Sequence, residues 1–167
     1  MSLLEFCRWL QYSGPLHAMR DSPIFFPIIA TIHLMGLALI GGAVLVVDLR
    51  LLGFGVQGQP IAVLAHDAER WLLRGLAVMV FTGTLLFYAA PLNRYENIFF
   101  RVKMGALALA VLNIWWFRRT AYRRVHEWDL DPVPPRRVRM VGALSLILLA
   151  LIITAGRMMA YQDYWFG

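Results

Sequence analysis

The sequence predicts an all-α fold: an integral membrane four-helix bundle, preceded by a short N-terminal amphipathic helix at the membrane interface. Two observations carry that expectation. Charged residues make up only 16% of the 167 positions, against 60% hydrophobic residues and a mean hydropathy of +0.62. Soluble domains carry roughly a quarter charged residues. The charges also cluster between long apolar runs, whereas a helix in a soluble fold needs a polar outer face. The whole chain, 1–167, reads as a single transmembrane domain.

Residues 2–12 read as the interfacial helix, with Ser2 and Glu5 at capping-box spacing. Leu3, Phe6, Cys7 and Leu10 share one face, and Trp9 and Tyr12 suit the headgroup layer. A turn at Ser13-Gly14-Pro15 follows. The first spanning helix is expected over residues 23–47, with Ser22 as cap and Pro23 in the first turn, where proline is tolerated. Asp48 and Arg50 close it, and a loop containing Gly53, Gly55 and Gly58 leads away. Further spans are expected over about 71–90, ended by Pro91, then 98–117 and 138–161. Each is long enough to cross a bilayer core. Pro132-Val133-Pro134-Pro135 makes a stiff loop before the last span.

Orientation follows from the basic residues. Arg50, Arg70, Arg74, Arg118, Arg119, Arg123, Arg124, Arg136, Arg137 and Arg139 lie on one side, ten in all. Arg8, Arg20, Arg94, Arg101, Lys103 and Arg157 lie on the other, six in all. The positive-inside rule puts the ten in the cytoplasm and both termini outside, periplasmic for a bacterial inner membrane. The first twenty residues lack a basic start followed by an uninterrupted apolar core, so no cleavable signal peptide is expected.

Composition also excludes several functions. The net charge of +6 sits at the ends of apolar helices, where topology and anionic lipid account for it, so nucleic acid is not an expected partner. A single cysteine, Cys7, rules out an internal disulfide, and no C-x-x-C-H occurs for covalent haem attachment. His66 and His126 have Asp67, Glu69, Glu127 and Asp129 nearby but no tight ligand spacing, and read as solvated loop residues rather than a metal site. Trp115, Trp116, Trp128, Tyr161, Tyr164 and Trp165 read as interfacial belts.

Ionisable groups inside a bilayer are costly and therefore functional candidates. His33 is the one deep imidazole, about ten residues into the first span and on the order of 15 Å below its outer end. Lys103 and Arg157 lie in the same outer half. A neutral imidazole in a bundle interior can ligate haem iron axially. Arg157, Arg101 or Lys103 would then pair with the propionates, and His17 would approach the haem edge. Gly36, Gly83 and Gly156 are expected to leave room for a flat macrocycle, and Met158 or Met159 is a possible second axial ligand. The plainer reading has His33 hydrogen-bonding Thr82, Thr84 or Ser145, while Lys103 and Arg157 anchor helix depth.

Several segments carry a resemblance. They are Phe26-Pro27 with Ile32-His33-Leu34, Val47-Asp48-Leu49-Arg50-Leu51-Leu52-Gly53, Thr82-Gly83, Asn97-x-x-Phe100-Arg101-x-Lys103, Asn113, and Gly156-Arg157-x-x-Ala160-Tyr161. The chain resembles a family of uncharacterised bacterial four-helix membrane proteins. It is more distantly similar to the four-helix membrane protoporphyrinogen oxidases, through His33, Arg50 and Lys103, and to copper-resistance membrane proteins at the last helix end. The oxidase resemblance implies haem b held by the first-helix histidine and the third-helix lysine. Relatives often carry a histidine near the end of helix three, where this chain has Trp116-Phe117-Arg118.

The sequence thus reads as a haem b-binding electron-transfer protein or redox subunit, with His33 on the iron, working with a membrane or periplasmic redox protein or as a homo-oligomer. The alternatives are a haem-dependent protoporphyrinogen oxidase-like enzyme and a non-catalytic accessory subunit of a larger membrane complex.

Overall fold

The computed structural model describes residues 3–13, 22–55, 58–131 and 133–166, and among them every regular element is helical. The order is α1 (Leu3–Ser13), α2 (Phe25–Leu52), α3 (Ile61–Ala89), α4 (Pro91–Glu96), α5 (Ile98–Arg119), a 3-10 segment (Tyr122–Glu127) and α6 (Arg136–Met158). A 3-10 turn, Met159–Tyr161, carries α6 into α7 (Gln162–Phe166). Four helices are long and apolar enough to cross a membrane: α2, α3, α5 and the stretch that begins with α6. Their outer surfaces carry large apolar side chains such as Met35, Phe81, Leu112 and Ile147 in the open. A helix apolar all round needs lipid or protein against every face.

Two boundaries differ from the sequence expectation, for a shared reason. Helix α2 runs five residues past Val47, because Asp48 and Arg50 are buried rather than solvated at a helix end. It stops at Gly53, whose φ of 88° is open to glycine at little cost. There the Gly53 amide bonds to Arg50 and Leu49 carbonyls, and Phe54 N bonds to Leu49 O at 2.8 Å. Helix α3 starts ten residues before the expected position. Ile61 and Ala68 turn inward while His66, Asp67 and Arg70 face outward, so this stretch is amphipathic and invisible to a search for apolar runs.

The other elements follow expectation closely. Helix α1 is shifted by one residue, and Ser2 of its expected capping box lies outside the described residues. The first span is a correction at its start: it begins at Phe25 with Ile24 as N-cap and no side-chain cap, so Pro23 lies in the preceding turn, where the Ser22 hydroxyl accepts from Ile24 N (3.4 Å) and Phe25 N (3.3 Å). Pro91 ends α3 and opens the short α4, since proline fits a first helical turn. Trp128 is a correction: it is only 6% exposed and belongs to a packed core, not to an interfacial belt.

Helix α2 packs along α3 and also on α6, and α6 packs on α5. Helices α3 and α5 make no comparable backbone approach, so α2 and α6 form the centre and α3 and α5 the flanks. Glycines permit the close crossings. A Cβ at Gly75 of α3 would stand 2.6 Å from Ile40 Cγ1 of α2. One at Gly142 of α6 would stand 3.1 Å from the Asp48 carbonyl oxygen of α2.

The end carrying the loops after α2 and α5, here the basic end, closes around Leu51, Ile61, Val125, Trp128 and Val138. At its centre Arg50 is 0% exposed. Its guanidinium donates to three backbone carbonyls: Gln59 (3.4 Å), Asp129 (3.3 Å) and Asp131 (3.3 Å). Asp129 in turn accepts from Ala62 N at 2.8 Å through Oδ1, which caps α3 from another part of the chain. The opposite end is tied by Asn97. Its Oδ1 accepts from Phe100 N (3.2 Å) as the N-cap of α5, and its Nδ2 donates to Met159 O (3.1 Å). Helix α1 lies against α4, with Cys7 and Leu10 buried beneath it and Gln11 Oε1 accepting from Leu92 N at 3.3 Å.

Candidate functional site

His33 lies two turns into α2 and faces α3. Its Nδ1 is 2.8 Å from Thr82 Oγ1, and Thr82 Oγ1 is also 2.6 Å from Val78 O. Those two contacts fix the ring's protonation pattern. A hydroxyl has one hydrogen, and the Val78 carbonyl can only accept. The threonine therefore donates to Val78, and His33 Nδ1–H donates to the threonine. The lone pair is then on Nε2, which has no hydrogen-bond partner among the described residues. This tautomer is inferred from the hydrogen-bond network. It matches the arrangement typical of a ligating histidine, whose other ring nitrogen is held by a fixed acceptor.

Two cations stand within Coulombic reach of the imidazole, Lys103 from α5 and Arg94 from α4, and Arg94 also acts on Lys103. The Lys103 side chain lies over Gly156 of α6, with Nζ 3.7 Å from where a Cβ would sit. Arg94 reaches toward Met159 Sδ at 4.0 Å. Burial pulls the Arg94 guanidinium below its usual proton affinity. Neither cation has an acidic side chain in ion-pair contact among the described residues. The result is an imidazole and two cations gathered beside the α3–α5 seam. That seam lacks close backbone packing and is bridged by the stacked rings of Phe87 and Phe100, 5.8 Å apart.

The expected site is thus partly redrawn. His33 and Lys103 come together. Arg101 is exposed and donates to Tyr95 O through Nε (3.2 Å) and Nη2 (3.1 Å). Arg157 is exposed and donates to Tyr161 Oη at 3.1 Å. Arg94 takes the place those two were given. It escaped notice because α4, a helix of six residues, reads as loop in the sequence. His17 lies outside the described residues. Met159 sits next to Arg94, through both its sulfur and its place at the end of α6.

The glycine expectation is corrected. Gly83 makes room for the His33 ring itself, since a Cβ there would be 3.2 Å from Cε1. Gly156 accommodates Lys103, and Gly36 accommodates Val78 and Met79. All three faces are filled by the chain's own side chains.

Two further polar groups lie deeper, toward the basic end. Asn113 of α5 is buried and donates to Val141 O of α6 at 3.1 Å. Asp48 is 5% exposed, with Ser145 as its polar neighbour, and its Oδ2 has no hydrogen-bond partner. His66 and His126 are exposed on separate elements, and no group of three metal-binding side chains occurs among the described residues.

No curated protein and no solved structure matches the chain. Residues 17–162 match a family described as a family of unknown function (DUF6644). That span takes in all four long apolar helices, and the chain belongs to this family.

Proposed function

We propose that this is a multi-pass protein of the bacterial inner membrane, with both termini periplasmic, that binds haem b through His33 and exchanges electrons with a membrane or periplasmic redox partner. One observation carries the reading: the His33 ring is oriented through Thr82, within Coulombic reach of two cations, and among the described residues Nε2 has no partner and neither cation has a carboxylate. That donor set fits haem b. Lys103 and Arg94 would hold the propionates by charge-assisted hydrogen bonds, and His33 would hold the iron. Haem b, when bound, supplies a one-electron couple. The chain itself sets the ring orientation through Thr82 and Val78 and holds positive charge beside it.

A second reading has its own support. The His33–Thr82 bond satisfies the imidazole locally, and the filled glycine faces suit a packed bundle. An accessory subunit of a larger membrane complex would show both features.

Absorption spectroscopy separates the two. Protein purified from haem-replete cells is expected to show a sharp reduced Soret and α-band, abolished in His33→Ala and weakened or shifted in Lys103→Gln and Arg94→Gln. A colourless wild-type protein that takes up no added haem overturns the haem reading in favour of the accessory subunit. Reporter fusions after Gly167 and within residues 126–135 are expected to report opposite compartments. A cytoplasmic signal from the C-terminal fusion reverses the orientation.

A further inference from the structure

The basic end carries seven arginines between residues 118 and 139. Most have visible partners or open solvent. Arg118 pairs with Glu69, and Arg119 stacks on Trp115 with its guanidinium carbon 4.9 Å from the ring centroid. Two others line a cavity of about 450 Å³ between the end of α5, the 3-10 segment and the start of α6. They are Arg124 and Arg137, facing it together with Trp116, Thr120, Trp128 and Pro135. Neither arginine has an ion-pair partner among the described residues, although Glu127 also reaches the wall. Thr120 spends its hydroxyl hydrogen on Trp116 O at 2.7 Å, so that oxygen can only accept. Trp128 closes the floor with a buried apolar ring, while Trp116 is half exposed at the level where the apolar span ends.

We infer that this cavity binds a phosphate group presented by an anionic phospholipid of the leaflet on the basic side. Two guanidiniums without an ion-pair partner among the described residues outnumber the one carboxylate on the wall, Glu127, and each offers a fork of donors suited to phosphate oxygens. An indole at the end of a spanning helix sits at headgroup level. The apolar floor suits a glycerol backbone rather than a fully hydrated ion, which selects lipid over free phosphate. Basic cavities between helices at this depth are the usual recognition sites for anionic headgroups. The inference rests on the membrane placement proposed above and is independent of haem.

The test uses full-length protein in nanodiscs of phosphatidylcholine alone or with added phosphatidylglycerol or cardiolipin, with thermal unfolding and lipid retention in native mass spectrometry as readouts. Anionic lipid is expected to stabilise the protein, and Arg124→Gln with Arg137→Gln to weaken retention roughly tenfold. Arg123→Gln with Arg139→Gln, the same charge change outside the cavity wall, is expected to retain lipid as wild type does. Equal losses in the two double variants would mean diffuse attraction and overturn the site. Stabilisation of the detergent-solubilised protein by inorganic phosphate alone, to the same extent, would assign the cavity to a free anion and overturn the lipid. Failure of the wild type to enter nanodiscs at all would instead count against membrane placement, and the lipid site would fall with it.

Discussion

The two ends of the molecule both cover cationic side chains, Arg50 fully at one and Lys103 and Arg94 partly at the other, but they use them differently. At the basic end, Arg50 spends its donors on the carbonyls of Gln59, Asp129 and Asp131, and apolar side chains close around it. At the α4 end, Lys103 and Arg94 stand within Coulombic reach of the His33 ring, and among the described residues neither has a carboxylate partner and the ring's Nε2 has no hydrogen-bond partner. A buried charge is tolerable only when its surroundings compensate it. The basic end compensates internally and so reads as architecture. Among the described residues the α4 end shows no such internal compensation, and the haem propionates proposed above would supply it.

The largest effect expected is therefore at Arg50. Arg50→Ala would strand three buried carbonyls and empty a fully covered volume, costing on the order of 3 kcal/mol. Thermal unfolding in detergent, with limited proteolysis around residues 53–60, is the check. Loss is expected there without loss of any haem signal. If Arg94→Ala destabilises the protein as much as Arg50→Ala does, the contrast between the ends disappears.

Periodicity and apolar length made the long helices legible because lipid imposes a simple composition rule on them. The same rule hid the start of α3, where His66, Asp67, Glu69 and Arg70 interrupt the apolar run that begins at Ile61, and it hid α4 altogether. His33 and Lys103 stood out as ionisable groups inside apolar runs. Arg94 did not, because a charge next to a proline turn looks solvated until α1 against α4 and the 3-10 turn after α6 are seen around it. Arg50 and Asp48 looked like a helix-end pair for the same reason. Asp129 looked like a loop acid, since capping across 67 positions leaves no local spacing signal.

A middle-sized effect separates orientation from stability at the α4 end. Thr82→Val removes the acceptor for His33 Nδ1–H while keeping the volume of the side chain. The expected stability loss is about 1 kcal/mol, in keeping with a single polar contact between membrane helices. Haem affinity is expected to fall by about 10- to 100-fold, as when the outer hydrogen bond of a ligating histidine is removed. Thr82→Ser keeps the hydroxyl and should restore binding. Haem titration alongside thermal unfolding reads both quantities. Equal behaviour of Thr82→Val and Thr82→Ser in the titration would mean the hydroxyl has no orienting role.

The smallest effect is expected at Asp48, and it bears most directly on how the basic end is held. Sequence proximity suggests that Asp48 and Arg50 form an ion pair. On a helix, residues two apart point in different directions. The structure agrees: Arg50 is engaged with three carbonyls, and Asp48 Oδ2 has no partner, with Ser145 beside it on α6. Breaking a buried ion pair costs about 3–5 kcal/mol, because the surviving charge is stranded. Replacing that acid by its amide breaks no ion pair and keeps one oxygen for Ser145. Asp48→Asn is thus expected to change stability by less than about 1 kcal/mol. A double-mutant cycle with Arg50→Ala should show no coupling beyond about 0.5 kcal/mol. Strong coupling in that cycle would mean that Arg50 is neutralised by a carboxylate rather than by carbonyl dipoles, and the basic end would then owe its closure to an ion pair.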